Sequence, residues 1–290
     1  MISTTDLLLL LMAVIWGTNY AVVKQTLSEM LPLSFNALRF SLASILLFLA
    51  LRFSEGGFLQ DRKDFKGILV LGLIGHTFYQ LLFIYGIAQT TASLSALMLA
   101  TSPLFVVLLD LLIGVEKLSR RIIFGVLLSL VGVFMLVTGS RPDIASPRTH
   151  IIGAILILVG AAFWAAYTVF SKQYLVRYSP LRFTATTMIL GTIILDLLAI
   201  PSLLAQEWQA ISIGGWAGLL YSLGLAVVLG YVIWEVGVKK VGPGRTAIYQ
   251  NLIPVIATAV SYLWLGETIG GVQIVGAGMV LLGIYLARRP

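Results

Sequence analysis

Cysteine does not occur in this chain, so no disulfide and no thiolate metal site can form. Charge is nearly as scarce. Asp, Glu, Lys and Arg make up 11% of 290 residues, where soluble domains carry ~25%. So few charges cannot cover a water-facing surface. Histidine occurs twice, and the carboxylates do not cluster. Without a nucleophile–base pair or a set of metal ligands, an intramembrane enzyme is not expected; neither are catalytic residues, a metal or any other cofactor.

What is present is apolar. Hydrophobic residues reach 59%, and the mean hydropathy is +1.00. Runs of about 20 largely uncharged residues, long enough to cross a bilayer as helices, recur along the whole length. Ten can be placed, at about 5–24, 33–52, 67–88, 92–113, 120–138, 151–171, 181–200, 212–235, 244–264 and 269–287. They are continuous rather than alternating, which predicts helices and not a membrane β-barrel. The first has no basic n-region and continues through Asn19 to Lys24, so it reads as a membrane helix rather than a cleaved signal.

The net charge of +7 is distributed by side. With the N-terminus inside, fifteen basic residues fall in inner loops or tails, among them Lys63, Arg121, Arg177, Lys240 and Arg288. Lys24, Arg141 and Arg148 are the three outside, and Arg39 lies within a span. The positive-inside rule then puts both termini in the cytoplasm. The basic excess is a topology signal and not a nucleic-acid footprint. The expected partners are the lipid bilayer and a small-molecule substrate, with a monomer as the simplest assembly.

The chain repeats itself. Trp16, Lys24, Gln25, Leu27, Pro32 and Leu33 recur 148 residues later as Trp164, Lys172, Gln173, Leu175, Pro180 and Leu181. Further on the offset is 151: Gly86/Gly237, Ala96/Ala247, Pro103/Pro254, Glu116/Glu267, Gly125/Gly276 and Gly132/Gly283. Five spans per half is an odd number, so the second half enters the membrane from the opposite face. The expected fold is an all-α integral membrane protein of ten transmembrane helices in two inverted-topology five-helix repeats. Residues 1–140 form the first repeat, 141–150 a periplasmic linker and 151–290 the second. Inverted repeats supply two packings of similar energy, one open to each side, with a site near the midplane.

Polar and aromatic residues near mid-depth are the candidate walls of that site. Span 1 offers Trp16 and Asn19; span 6 offers Trp164 and Tyr167 at the equivalent positions. In span 3, His76, Tyr79 and Gln80 share one helical face. Met98 and Thr101 precede Pro103, as Tyr249, Gln250 and Asn251 precede Pro254. A mid-helix proline kinks the helix and frees a carbonyl, which suits a water-lined chamber. His76 is the mid-depth group that can change charge near neutral pH, hence the candidate for proton coupling. Glu235, with Lys239 four residues on, reads as a surface pair, and Glu116 and Glu267 as caps of the helices that follow. Gly125, Gly132, Gly139, Gly276 and Gly283, stacked at seven-residue spacing, read as a tight helix contact.

IWGTNY, NALRF, TTASLSALMLATSPLF and the ends EKLS and GETI together resemble the EamA family of the drug/metabolite transporter superfamily, across the whole chain. The resemblance implies a ten-helix bacterial inner-membrane permease, with spans 1–4 and 6–9 around a central cavity and spans 5 and 10 behind. It also implies export of amino acids or other metabolites, as in the aromatic amino acid exporters that share this architecture. Exporters of drugs or other organic cations use a membrane-embedded Glu, and none lies near mid-depth here. Nucleotide-sugar and sugar-phosphate carriers need cations for phosphate, and only Arg39 is within a span. Both classes remain alternatives, and a channel is a weaker one.

Overall fold

A computed structural model describes residues 3–57, 61–90, 92–114, 119–138, 147–265 and 270–288. The described residues are helical, with no strand among them. Six helices are long and apolar enough to cross a membrane: Thr4–Thr26, Pro32–Ser54, Arg62–Gln89, Ile151–Leu175, Pro180–Ala205 and Ile213–Val241. The remaining expected spans are helical too, but shorter or interrupted. Ala92–Leu99 gives way to Ser102–Ile113. Pro243–Ala247 passes through a 3-10 turn, Ile248–Asn251, into Leu252–Leu265. Arg120–Thr138 and Gly271–Arg288 complete the set.

Local chemistry sets the helix ends. Ser3 and Asp6 form a reciprocal cap: the Asp6 amide donates to Ser3 Oγ at 3.2 Å, and the Ser3 amide donates to Asp6 Oδ2 at 2.8 Å. Pro32, Pro180 and Pro243 stand in the first turn of their helices, where the missing amide is harmless. Gly114, at φ +70°, ends Ser102–Ile113 in the left-handed conformation that glycine adopts without strain.

Of the linker expected at 141–150, residues 147–150 already belong to the helix Pro147–Leu175. The rest of it, with Glu116, Gly139 and Glu267, lies outside the described residues.

Contacts recur at the repeat spacing. Ser44 Oγ donates to Thr192 Oγ1 at 3.2 Å, a pair 148 residues apart. Lys24 Nζ donates to the carbonyls of Ile87 and Ala88 at 2.9 and 3.2 Å. Its counterpart Lys172 donates to the corresponding carbonyls of Val238 and Lys239, both at 3.1 Å. Gly86 packs on Ile157, and Gly237 on Leu9, the equivalent residue of the other half. A Cβ on Gly132 would lie 2.6 Å from the Gly276 carbonyl oxygen, and one on Gly283 would lie 2.5 Å from that of Gly125. Arg120–Thr138 and Gly271–Arg288 therefore touch backbone to backbone, as stacked glycines allow.

Two long helices change pitch at corresponding positions of the sequence repeat. Arg62–Gln89 becomes a π-helix over Leu73–Phe78, and Ile213–Val241 does so over Ser222–Leu229. Such widened turns concentrate at functional sites. The exterior is apolar, with Leu7, Ile45, Phe124, Ile193 and Ile274 exposed, while polar side chains such as Arg39, His76, Gln80 and Asn251 are buried. This inversion is what lipid demands of a surface.

Candidate functional site

Beside the two π segments an aromatic cluster surrounds a cavity of about 40 Å³, room for a few waters. Trp16 and Trp164 meet edge to face at 5.8 Å. Tyr79 lies 5.0 Å from the Trp164 ring, and Tyr231 lies 5.3 Å from Trp164 and 6.0 Å from Trp16. Trp234 backs both indoles, at 5.5 and 5.1 Å. Tyr20, Phe83, Leu99, Val227 and Ile253 close the wall. The π turn Ser222–Leu229 fixes Trp16: its indole N–H donates to the Ala226 carbonyl at 2.9 Å. At Gly75, in the other π turn, a Cβ would come 2.5 Å from the Tyr167 ring, so glycine is what lets that ring in.

One polar group stands in this wall, built around Arg39 and Gln80. Arg39 is 2% exposed. Its Nη2 donates to Asn36 Oδ1 at 2.6 Å and to Gln80 Oε1 at 2.9 Å, and its Nη1 donates to Ser222 Oγ at 3.0 Å. Gln80 Nε2 in turn donates to the Tyr231 hydroxyl at 2.6 Å, a contact between residues 151 apart. The rings of Phe35 and Phe40 each lie 5.0 Å from the guanidinium carbon. Each partner in this network is neutral.

Of the sequence-predicted residues, Trp16, Tyr79, Gln80 and Trp164 line the cavity together. Tyr167 stacks on Trp164 at 5.4 Å from behind. His76 also lies one layer back, with Nε2 3.1 Å from Thr187 Oγ1 and its ring 5.3 Å from Tyr231. Asn19 is buried outside the wall. Met98 and Thr101 sit at the helix break before Pro103, where Thr101 Oγ1 donates to the Met98 carbonyl at 2.6 Å. Tyr249 turns away to Asp6, donating to its carboxylate at 2.5 Å. Gln250 and Asn251 are buried before Pro254, and neither borders the cavity.

Glu235 is not a surface residue. It is fully buried, with Tyr167 and Ser171 beside its carboxyl, and Lys239 donates instead to the Tyr178 carbonyl at 2.9 Å. Glu235 faces inward with Tyr231, one turn earlier, whose ring joins the aromatic cluster, as does that of the neighbouring Trp234.

Sequence reasoning passed over Arg39 and Tyr231 as site residues. A cation inside an apolar run, three residues after Asn36, was the available signal for the first. Tyr231 stands at the repeat equivalent of Gln80, and that position was the signal for the second.

Polar ties cross the molecule at both ends. Asp64 accepts from Arg177 Nη2 and the Tyr178 hydroxyl, each at 2.7 Å, and Glu55 accepts from Ser179 Oγ at 2.6 Å. At the other end Glu29 accepts from the Ser212 amide at 2.7 Å, and Gln206 Oε1 accepts from the Leu31 amide at 2.6 Å.

The fold has a solved counterpart. A crystal structure of a protein superposes with a TM-score of 0.79 at 18% identity, covering 99% of this chain and 98% of that one. The uncharacterized transporter YyaM of Bacillus subtilis is 28% identical over 97% of this chain and 92% of its own. An uncharacterized transporter of Archaeoglobus fulgidus is 30% identical, over 98% and 97%. A probable amino-acid metabolite efflux pump of Salmonella typhimurium is 29% identical, over 96% and 93%. The profile of the EamA-like transporter family matches residues 3–138 and 151–289, and this chain, a multi-pass membrane protein, belongs to that family.

Proposed function

We propose that the protein is a secondary transporter that moves small amphipathic metabolites by alternating access, exporting amino acids across a bacterial inner membrane. In this reading ten transmembrane helices form two inverted five-helix halves, with both termini in the cytoplasm. The observation that carries it is the seam: Trp16 and Tyr79 from one half meet Trp164 and Tyr231 from the other around one cavity. The reciprocal contacts at the repeat spacing support the inversion. The family profile's match to both halves supports the duplication.

A cavity with room for only a few waters, between polar ties at both ends, is what an occluded carrier presents between openings. The substrate's apolar part stacks on Trp16, Tyr79 and Trp164, with Tyr167 backing Trp164. Its polar part meets Gln80 first, then Asn19, Gln250 and Asn251 as the broken helices move. His76, one layer behind Tyr231, is the group through which a proton is exchanged. Amino acids are the preferred cargo because a relative bears the name of a probable amino-acid metabolite efflux pump.

The test is a proteoliposome screen over amino acids. Saturable uptake with counterflow by an internal pool of the same amino acid is expected. Flux that never saturates would make the protein a channel.

A further inference from the structure

Arg39 is a buried cation without a counter-ion. Among the described residues, ion pairs join Arg177 to Asp64 and Arg182 to Glu55, and none reaches Arg39. Of its five N–H donors, three are taken by Asn36, Gln80 and Ser222, and Nε has no acceptor. A charge this far inside a membrane is expensive unless something compensates it. Neutral amides, a hydroxyl and two phenyl faces orient the guanidinium but cancel no charge. The group is nonetheless on the cavity wall.

We propose that Arg39 is the anchor for the substrate's carboxylate, so that the cargo is a carboxylic acid or amino acid with an apolar body. This rests on the transport reading above and narrows it to a chemical class. An oxyanion is the ligand a guanidinium binds best, through charge-assisted hydrogen bonds, and the indoles of Trp16 and Trp164 stand ready for the apolar body. Among the described residues no carboxylate lines the cavity to receive a ligand's ammonium, the buried Glu235 standing behind it beside Tyr167, so a purely cationic amine meets the Arg39 charge there. Asn36 and Gln80 hold the guanidinium in place, and Gln80 passes the contact on to Tyr231 across the seam.

Three probes separate the charges: L-phenylalanine carries both groups, 3-phenylpropionate only the carboxylate, phenethylamine only the ammonium. Titration calorimetry on the purified wild-type protein is expected to show the first two binding, with phenethylamine at least tenfold weaker. Arg39→Gln is expected to weaken both carboxylates at least tenfold, and Arg39→Lys to keep the preference for them. Phenethylamine binding the wild type as tightly as 3-phenylpropionate would overturn the proposal. So would full carboxylate affinity in folded Arg39→Gln, or no binding of any probe to the wild type. The transport reading falls separately, when proteoliposomes carry no amino acid by saturable exchange.

Discussion

Trp164 has a ring neighbour in every direction that matters: Trp16, Tyr79, Tyr167, Tyr231 and Trp234 all lie within 5.8 Å. Truncation to alanine removes the surface on which an apolar substrate stacks and leaves a void that rings cannot refill. Trp164→Ala is expected to cost about 3–5 kcal/mol of stability and to raise the half-saturating substrate concentration at least tenfold in a transport assay. His76 belongs to the same scale. If it exchanges the coupled proton, His76→Ala abolishes the stimulation of transport by a pH gradient while exchange without a gradient survives. Stimulation left intact would remove it from the mechanism. Residue identity explains why Tyr249 was misjudged in its direction. Its hydroxyl needs a partner inside an apolar medium, and Asp6, freed from solvent by its place in the Ser3 cap, supplies one. Nothing near Tyr249 in sequence announces a partner 243 positions away.

At the scale of elements, glycine spacing gives a sharp contrast. Gly132 faces the Gly276 carbonyl at a distance that forbids a Cβ, whereas Gly278 on the same partner helix has nothing within 4 Å. Gly132→Ala must push two helices apart, at about 1–3 kcal/mol, and its melting temperature in detergent should fall. Gly278→Ala should melt at the wild-type temperature or slightly above, since alanine favours a helix. Equal effects from the two would mean the helices do not meet as described.

The helical rods themselves were legible because apolar runs of about 20 residues have one solution in lipid. The interruptions at Pro103 and Pro254 were legible for a different reason, the missing amide. The π segments were not. No residue type marks an i→i+5 turn, and the first of them begins right after Gly72, where that helix presses backbone to backbone on Gly191. Glu235 was misread for the same reason. Its i+4 lysine is a local cue, and the contact of Tyr231, one turn earlier, with the aromatic cluster outweighs it.

For the whole molecule, several contacts recur at the repeat offset visible in the sequence. Pairs at that separation touch near the centre, as Trp16 and Trp164 do, and contacts swap partners between halves, as Lys24 and Lys172 do. The offset alone did not say which polar residues face the seam, because facing depends on how far each helix is rotated by its neighbours. That is why Arg39 and Tyr231 entered the site while Gln250 and Asn251 stayed outside its wall.

The inversion of the two halves is the claim on which transport by rocking depends, and a pair of equivalent positions tests it. Ser28 and Val176 are exposed just beyond the first helix of each half, 148 residues apart, in a chain that has no cysteine of its own. Each can therefore carry the only thiol. With a membrane-impermeant maleimide on intact cells, Ser28→Cys should label at once, and Val176→Cys only after the membrane is permeabilised. Labelling of both from the same side would contradict the account.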